Sequence, residues 1–151
     1  DQIYGNVSDD LIYGNTGNDQ LFGGQQKDIL FGGRDDDQLF GGGNDDVLYG
    51  NRDNDALFGG DGADTFFGGQ GVDTHTGGAG TDLFVPGKDM DIITDFVAGE
   101  DLILAPGVGF RELIDLLSPG PNNSTVVQFD NGGGFLIENL AFSDANILIF
   151  G

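Results

Sequence analysis

Aspartate recurs every nine residues through the first two thirds of the chain. Ten of these aspartates share one register, and an eleventh, Asp101, follows the tenth after ten residues; the set is Asp10, Asp19, Asp28, Asp37, Asp46, Asp55, Asp64, Asp73, Asp82, Asp91 and Asp101. The chain contains no cysteine and a single histidine. Carboxylate and carbonyl oxygens without sulfur or paired imidazoles suit a hard divalent cation rather than zinc or copper. The spacing therefore predicts cation chemistry.

The aspartates belong to a nine-residue repeat, typified by GGGNDDVLY at 41–49, with aspartate at position six. Position two is Gly or Asn in every repeat, and both residues enter positive φ at low cost, which predicts a tight turn with inward-pointing carbonyls. Ten repeats begin in one register, at Gly5, Gly14, Gly23, Gly32, Gly41, Gly50, Gly59, Gly68, Gly77 and Pro86.

Positions seven to nine of each repeat predict a short strand. Position eight forms an apolar column interrupted once by His75, and it should point inward while positions seven and nine point outward. A three-residue strand cannot bury a core alone, so the repeats must stack on one another.

The repeats resemble the GGxGxDxUx nonapeptide of the repeats-in-toxin (RTX) calcium-binding family over residues 1–104, most clearly in the segments GGDGADTFF and GGAGTDLFV. The resemblance implies an all-β fold, a parallel β-roll solenoid with two repeats per coil and Ca²⁺ between consecutive turns of one edge. It implies two edges, one with Asp10, Asp28, Asp46, Asp64 and Asp82, the other with Asp19, Asp37, Asp55, Asp73 and Asp91. The implied ligands are these carboxylates and the backbone carbonyls of the turns at Gly14, Gly23, Gly32, Gly41, Gly50, Gly59, Gly68 and Gly77. About eight ions would fill the two edges, one per adjacent pair of turns.

Electrostatics gives an independent reason for cations. Turns on one edge would repeat at the strand spacing of about 4.8 Å. Two bare carboxylates at that distance repel by roughly 1 kcal/mol in water and by several times more at lower dielectric. We therefore expect a disordered acidic chain without calcium and a folded roll with it.

The net charge of −21 argues against a nucleic-acid partner and against binding to an anionic membrane. The sequence contains no apolar run long enough to span a membrane and no N-terminal signal pattern. Because the chain opens in mid-repeat, we expect it to be a fragment of a longer protein.

Several residues depart from the repeat. Ser8 and Gln26 at position four predict looser turns, and Pro86 and Lys88 predict the end of the roll. His75 could be a metal ligand or a base, but it lacks a second His, Cys or Ser partner in the pattern, which favours a neutral histidine that is hydrogen-bonded inside the roll or at its thinning end.

Residues 105–151 are predicted to form a separate, small C-terminal cap. Helical spacing runs from Phe110 to Leu117, and a hairpin is predicted from 125–129 and 135–138, followed by a last strand over 147–150. This segment could simply cover the open end of the apolar column. Alternatively, it resembles the uncleaved C-terminal signals for type I secretion that follow such repeats.

These features predict a noncatalytic calcium-binding module of a secreted or cell-surface protein, because no HExxH or GxSxG pattern occurs. The alternatives are an adhesion or glycan-binding module that uses a flat aromatic face, the tail of a secreted hydrolase, and a structural spacer. The expected partners are the type I secretion machinery and a homodimer mate or upstream domain; the cap itself could also cover the same surface. That surface would be the more apolar outward one, marked by Leu11, Ile29, Val47 and Tyr49.

Overall fold

The computed structural model describes residues 1–85, 87–98, 100–104, 117–119, 125–128, 133–138 and 148–150, and every regular element in these ranges is a β-strand. The strands follow in chain order as β1 (Gln2–Asn6), β2 (Leu11–Thr16), β3 (Gln20–Gln25), β4 (Ile29–Arg34), β5 (Gln38–Gly43), β6 (Val47–Arg52), β7 (Ala56–Asp61), β8 (Thr65–Gln70), β9 (Thr74–Ala79), β10 (Leu83–Val85), β11 (Met90–Ile93), β12 (Leu102–Leu104), β13 (Leu117–Pro119), β14 (Thr125–Gln128), β15 (Gly134–Ile137) and β16 (Leu148–Phe150).

The strands alternate between two sheets. One sheet has the order β1-β3-β5-β7-β9-β11-β15-β14-β13, and the other has the order β16-β12-β10-β8-β6-β4-β2. Neighbouring strands within the roll are parallel, and the register joins residues two repeats apart, such as Leu21 with Leu39 and Leu30 with Leu48. The all-β parallel β-roll with two repeats per coil is therefore confirmed.

The core is a line of side chains between the sheets. Along each full-length strand, positions eight and one point inward, and position one is glycine, so the core is filled from position eight. Phe96 and three side chains of β14 and β15 join this column; its members are Ile12, Leu21, Leu30, Leu39, Leu48, Leu57, Phe66, Phe84, Ile93, Phe96, Ile103, Val127, Phe135 and Ile137.

The two outward surfaces differ at position seven. On the nine-stranded sheet, Gln2 donates to Gln20 and Gln20 donates to Gln38, which forms a polar ladder. On the seven-stranded sheet the corresponding column begins with Leu11 and Ile29, which are 57% and 39% exposed. Both surfaces carry a row of stacked rings at position nine, with centroids 4.6–4.9 Å apart, namely Tyr4-Phe22-Phe40-Phe58 and Tyr13-Phe31-Tyr49-Phe67.

The C-terminal segment extends both sheets. β15 pairs with β11 and β16 pairs with β12, both in parallel, while β14 pairs antiparallel with β15 as the hairpin prediction required. The helix predicted over 110–117 is not confirmed: residues 105–116 lie outside the described residues, and Leu117 begins β13, which is antiparallel to β14. The boundary at residue 104 stays a prediction. Within the described ranges, no helix is long and apolar enough to cross a membrane.

Candidate metal centre

The predicted aspartates line the two edges of the roll, just where each turn enters a strand. All of them except Asp10 are buried. One edge stacks Asp10, Asp28, Asp46, Asp64 and Asp82, and Asp101 continues this stack because the Asp82 amide donates to its Oδ1 at 3.0 Å. The other edge stacks Asp19, Asp37, Asp55, Asp73 and Asp91. The structure therefore brings together in each stack the residues that the family resemblance assigned to that edge, and it adds Asp101 to the first.

One oxygen of each carboxylate ties consecutive coils together. The Asp28 amide donates to Asp46 Oδ1 at 2.8 Å, and the Asp46 amide donates to Asp64 Oδ1 at 2.8 Å. The same bond recurs on the other edge, for example from the Asp37 amide to Asp55 Oδ1 at 2.8 Å. Each aspartate thus fixes its own carboxylate against the preceding turn, which holds the second oxygen in a defined place.

The second oxygen is buried without a partner. Among the described residues, Oδ2 has no hydrogen-bond donor within reach in nine of the eleven aspartates: Asp10, Asp19, Asp28, Asp37, Asp46, Asp55, Asp64, Asp73 and Asp91 in all. A buried carboxylate oxygen without a donor is costly unless a cation or a proton compensates it. The arrangement therefore fits a bound cation.

Glycine at position one leaves room for these oxygens. A Cβ at Gly23 would lie 2.5 Å from Asp28 Oδ2 and 2.7 Å from the Gly41 carbonyl oxygen. A carboxylate oxygen of one turn and a carbonyl oxygen of the next coil therefore converge on one point at the inner side of the turn. Such a mixed oxygen set is what Ca²⁺ takes in proteins. In the part of the chain that the structure describes, no three His, Cys, Asp or Glu side chains gather as a metal cluster, so backbone carbonyls must supply much of any coordination shell.

Burial raises the pKa of the stacked carboxyl groups. Loss of solvent is the largest cause, and neighbouring aspartates of the same edge raise the pKa further, to about 6 for Asp46 and Asp64 and to about 8 for Asp55. The pKa values of Asp28 and Asp101 are also raised, chiefly by burial. Without a cation, these groups resist ionisation in the folded roll.

The turns that depart from the repeat differ from one another. Gln26 adopts the left-handed conformation of position four, with φ of 77°, whereas Ser8 does not. Their predicted looseness stays a prediction. Pro86 lies outside the described residues.

His75 occupies the inward position eight and is fully buried. Its ring makes edge contacts with Phe66, Phe84 and Phe135, with centroids 5.7–6.0 Å apart. Its Nε2 lies 3.8 Å from Asp91 Oδ2, which is too long for a hydrogen bond, and neither ring nitrogen has a hydrogen-bond partner among the described residues. The histidine therefore lies inside the roll as predicted, but its ring is not hydrogen-bonded there as the prediction expected.

Other carboxylates that the repeat pattern did not single out also bind the turns. Asp95 accepts from the amides of Gly77 and Gly78 at 2.8 and 2.9 Å. Asp35 and Asp53, at position four, accept from the amides of Gly17 and Asp35, each at 3.0 Å. Aspartate at position four is a visible signal for such turn bonds, because its short side chain readily accepts from nearby backbone amides. Asp95 carries no such signal, since it lies where the nine-residue register breaks.

The sequence profile of the RTX calcium-binding nonapeptide repeat, built from four copies, matches overlapping windows at residues 1–30, 22–57, 40–74, 49–84 and 58–93. Together these windows cover more than half of the chain. The chain belongs to the RTX calcium-binding nonapeptide repeat family. A comparison with curated proteins found no match.

RTX repeats bind Ca²⁺, and the RTX β-roll described here fits a calcium-binding module. The repeats of this family are in general structural and noncatalytic. The family resemblance noted from GGDGADTFF and GGAGTDLFV is therefore confirmed.

Proposed function

We propose that this chain is a calcium-dependent folding module, which stays unfolded where Ca²⁺ is scarce and assembles outside the cell on a secreted protein. The observation that carries the proposal is the pair of stacks of buried, partnerless Oδ2 atoms. A roll that must bury these charges is unfavourable alone and favourable once cations neutralise them, so binding energy becomes folding energy.

The site residues of this proposal are the eleven stacked aspartates and the turn carbonyls that face them. About eight Ca²⁺ ions would lie between consecutive turns of the two edges. Family members are typically exported by type I systems, which supports an extracellular location and export directed by the C-terminal segment. Extracellular calcium modules commonly have dissociation constants of about 10⁻⁴ to 10⁻³ M, which matches such a switch.

The noncatalytic tail of a secreted hydrolase is compatible with the same module. A platform that binds neutral carbohydrate by stacking on the flat aromatic face receives less support, because the rings stack on one another with interplanar angles of 4–9°. Inside each row both faces of a ring are covered by its neighbours, so only ring edges point outward, and a neutral sugar finds no ring face on which to stack there.

The proposal is tested by far-ultraviolet circular dichroism during a calcium titration. In chelator we expect a mostly disordered spectrum, and β-structure should form cooperatively with uptake of about eight Ca²⁺ per chain by isothermal titration calorimetry. Mg²⁺ at equal concentration should fail, because it dehydrates reluctantly and requires regular octahedral geometry. A cooperatively melting fold in chelator at neutral pH would contradict the proposal.

A further inference from the structure

A cleft of about 400 Å³ opens on the outer side of the seven-stranded sheet, near β2, β4 and β6. Its side-chain lining combines rings, amides and guanidinium groups: Tyr13, Phe31, Asn15, Asn51, Arg34 and Arg52. None of these side chains belongs to the aspartate stacks. We call this site the arginine cleft.

Positive charge is concentrated here in a chain of net charge −21 with only five basic residues. Arg34 and Arg52 occupy position three of successive coils on the same edge, and Lys88 occupies position three two coils further along. Arg34 and Arg52 extend from adjacent strands, whose register pairs Gly33 with Asn51, so their backbones are one strand spacing apart, about 4.8 Å. The two cations therefore repel each other unless an anion lies between them.

The side chains of Arg34 and Arg52 form no polar contact within the described part of the molecule. Both are exposed, and neither guanidinium group has an ion pair or hydrogen bond among the described residues. The nearest acidic residues in sequence, Asp35 and Asp53, instead accept from turn amides. Lys27, by contrast, is paired with Asp45 at 2.7 Å. The guanidinium groups are thus free to bind a ligand.

The rest of the lining defines the kind of ligand. The side-chain amides of Asn15 and Asn51 donate to the carbonyls of Tyr13 and Tyr49, at 3.3 and 3.0 Å, which leaves their Oδ1 atoms as acceptors. The cleft therefore offers cationic donors for an oxyanion, neutral acceptors for hydroxyl groups, and the ring edges of Tyr13 and Phe31 for apolar C–H groups. A sugar-like ring that carries hydroxyl groups and an anionic group matches all three kinds of contact.

We propose that the arginine cleft binds an acidic sugar. Arg34 and Arg52 hold its carboxylate or sulfate between them, and the Asn15 and Asn51 oxygens accept from its hydroxyl groups. Asn15, Arg34 and Arg52 lie in turns whose backbone carbonyls are proposed calcium ligands, but their side chains belong to neither aspartate stack, so the inference goes beyond calcium-dependent folding. Calcium loading would weaken the negative field that an anionic ligand must approach.

The test is a titration of the full chain, in saturating Ca²⁺ held equal in both solutions, with trigalacturonate, sucrose octasulfate and neutral maltotriose. Amide and side-chain shifts in ¹⁵N spectra report both the affinity and the place of binding. We expect one of the two acidic probes, or both, to shift the arginine cleft, and maltotriose to bind at least tenfold more weakly. The stronger acidic probe identifies carboxylate or sulfate as the anion.

The matched variants are Arg34→Gln and Arg52→Gln against Lys27→Gln, which removes the same charge on the other edge. Each arginine variant should weaken binding about tenfold or more, and Lys27→Gln should change it less than twofold. Unchanged calcium-induced circular dichroism shows that the variants fold. Equal weakening in all three variants, binding of maltotriose as strong as that of the acidic probes, or no binding would overturn the proposal. So would sedimentation that shows self-association lost only in the arginine variants, since a second copy would then occupy the cleft.

Discussion

At the scale of single residues, the two oxygens of each stacked aspartate have different roles in the roll. Oδ1 accepts from the preceding coil, and Oδ2 stays buried beside a glycine carbonyl. In the folded roll this hydrogen bond fixes the position of the side chain. Each proposed ligand is therefore held against the preceding coil, and the glycine at position one is part of the site although it offers no side chain.

Gly23→Ala should disrupt a turn, because its Cβ would lie 2.5 Å from Asp28 Oδ2. We expect a loss of roughly 1–3 kcal/mol in the free energy of unfolding, typical of overpacking, and weaker calcium uptake. Gly43→Ala is the matched control, since its nearest non-neighbouring atom is 4.0 Å away and its φ is not positive; it should be neutral or stabilise by up to about 1 kcal/mol. Denaturant unfolding in saturating Ca²⁺ compares the two, and similar losses would contradict the proposed role of position one.

Stability should respond to pH in opposite directions with and without calcium. The folded-state pKa values of Asp46 and Asp55, about 6 and about 8, lie above the ordinary value of 3.8. In chelator, the contribution of these groups is complete below about pH 4 and is lost as pH rises through about 6 to 8, so acid should favour the metal-free roll. In calcium the ligands must be ionised, so affinity should fall as pH falls below about 6. Circular dichroism from pH 4.5 to 8.5 in both conditions checks this, and parallel pH profiles would refute it.

At the scale of the elements, each coil is one unit of a ladder. An aspartate inside the ladder is hydrogen-bonded to both neighbouring coils. Asp46 accepts from the Asp28 amide, and its own amide donates to Asp64. Asp10 donates to Asp28 but accepts no such bond among the described residues. The ladder is therefore weaker at Asp10 than in its middle.

Asp46→Ala should reduce calcium stoichiometry more than Asp10→Ala does. The inner aspartate would lose about two ions and the outer one about one, because ions are proposed between adjacent turns. Asp61→Asn is the control for charge alone, since Asp61 is exposed and outside the stacks. Isothermal titration calorimetry on the three variants decides the matter, and equal losses at Asp46 and Asp10 would mean that the sites are not stacked.

The repeat made much of this architecture predictable. A strict nine-residue period specifies that the aspartates recur in one register, and the apolar position eight specifies the inward face. The division of the aspartates between two edges was implied by the family resemblance. The period could not show that Asp95 caps a turn, since that residue lies at a one-residue insertion. Nor could it place Leu117, because a short apolar segment fits either a helix or a strand until its pairing with β14 is known. The proximity of Arg34 and Arg52 could not be predicted either, because exposed positions follow no apolar period.

At the scale of the whole molecule, the two sheets present unlike surfaces. The nine-stranded sheet has its glutamine ladder, whereas Leu11, Tyr13 and Ile29 are exposed on the seven-stranded sheet. The proposal that this apolar face is covered by a second copy, an upstream domain or the C-terminal segment stays a prediction.

Replacing Ile29 and Val47 with Lys should lower the melting temperature or abolish association in saturating Ca²⁺, because a covered apolar face cannot accept unpaired charges without loss. The same change at Gln20 and Gln38 adds equal charge to the polar surface and should have little effect. Sedimentation and thermal melting of both double variants provide the comparison. If the two behave alike, the apolar face is simply solvated.

The bond from each aspartate amide to the aspartate one coil later gives the roll a polarity. Along each stack the carboxylate acceptor faces the N-terminal side and the amide donor faces the C-terminal side. A directional stack of like coils has no intrinsic length, so its growth into an open-ended array must be stopped by a different element. On the nine-stranded sheet the aspartate stack ends at Asp91, because the strands that follow β11 in the sheet, β15 and β14, carry no aspartate and β14 runs antiparallel to β15. The hairpin therefore follows the last aspartate of this stack and limits the number of calcium-binding coils on that sheet.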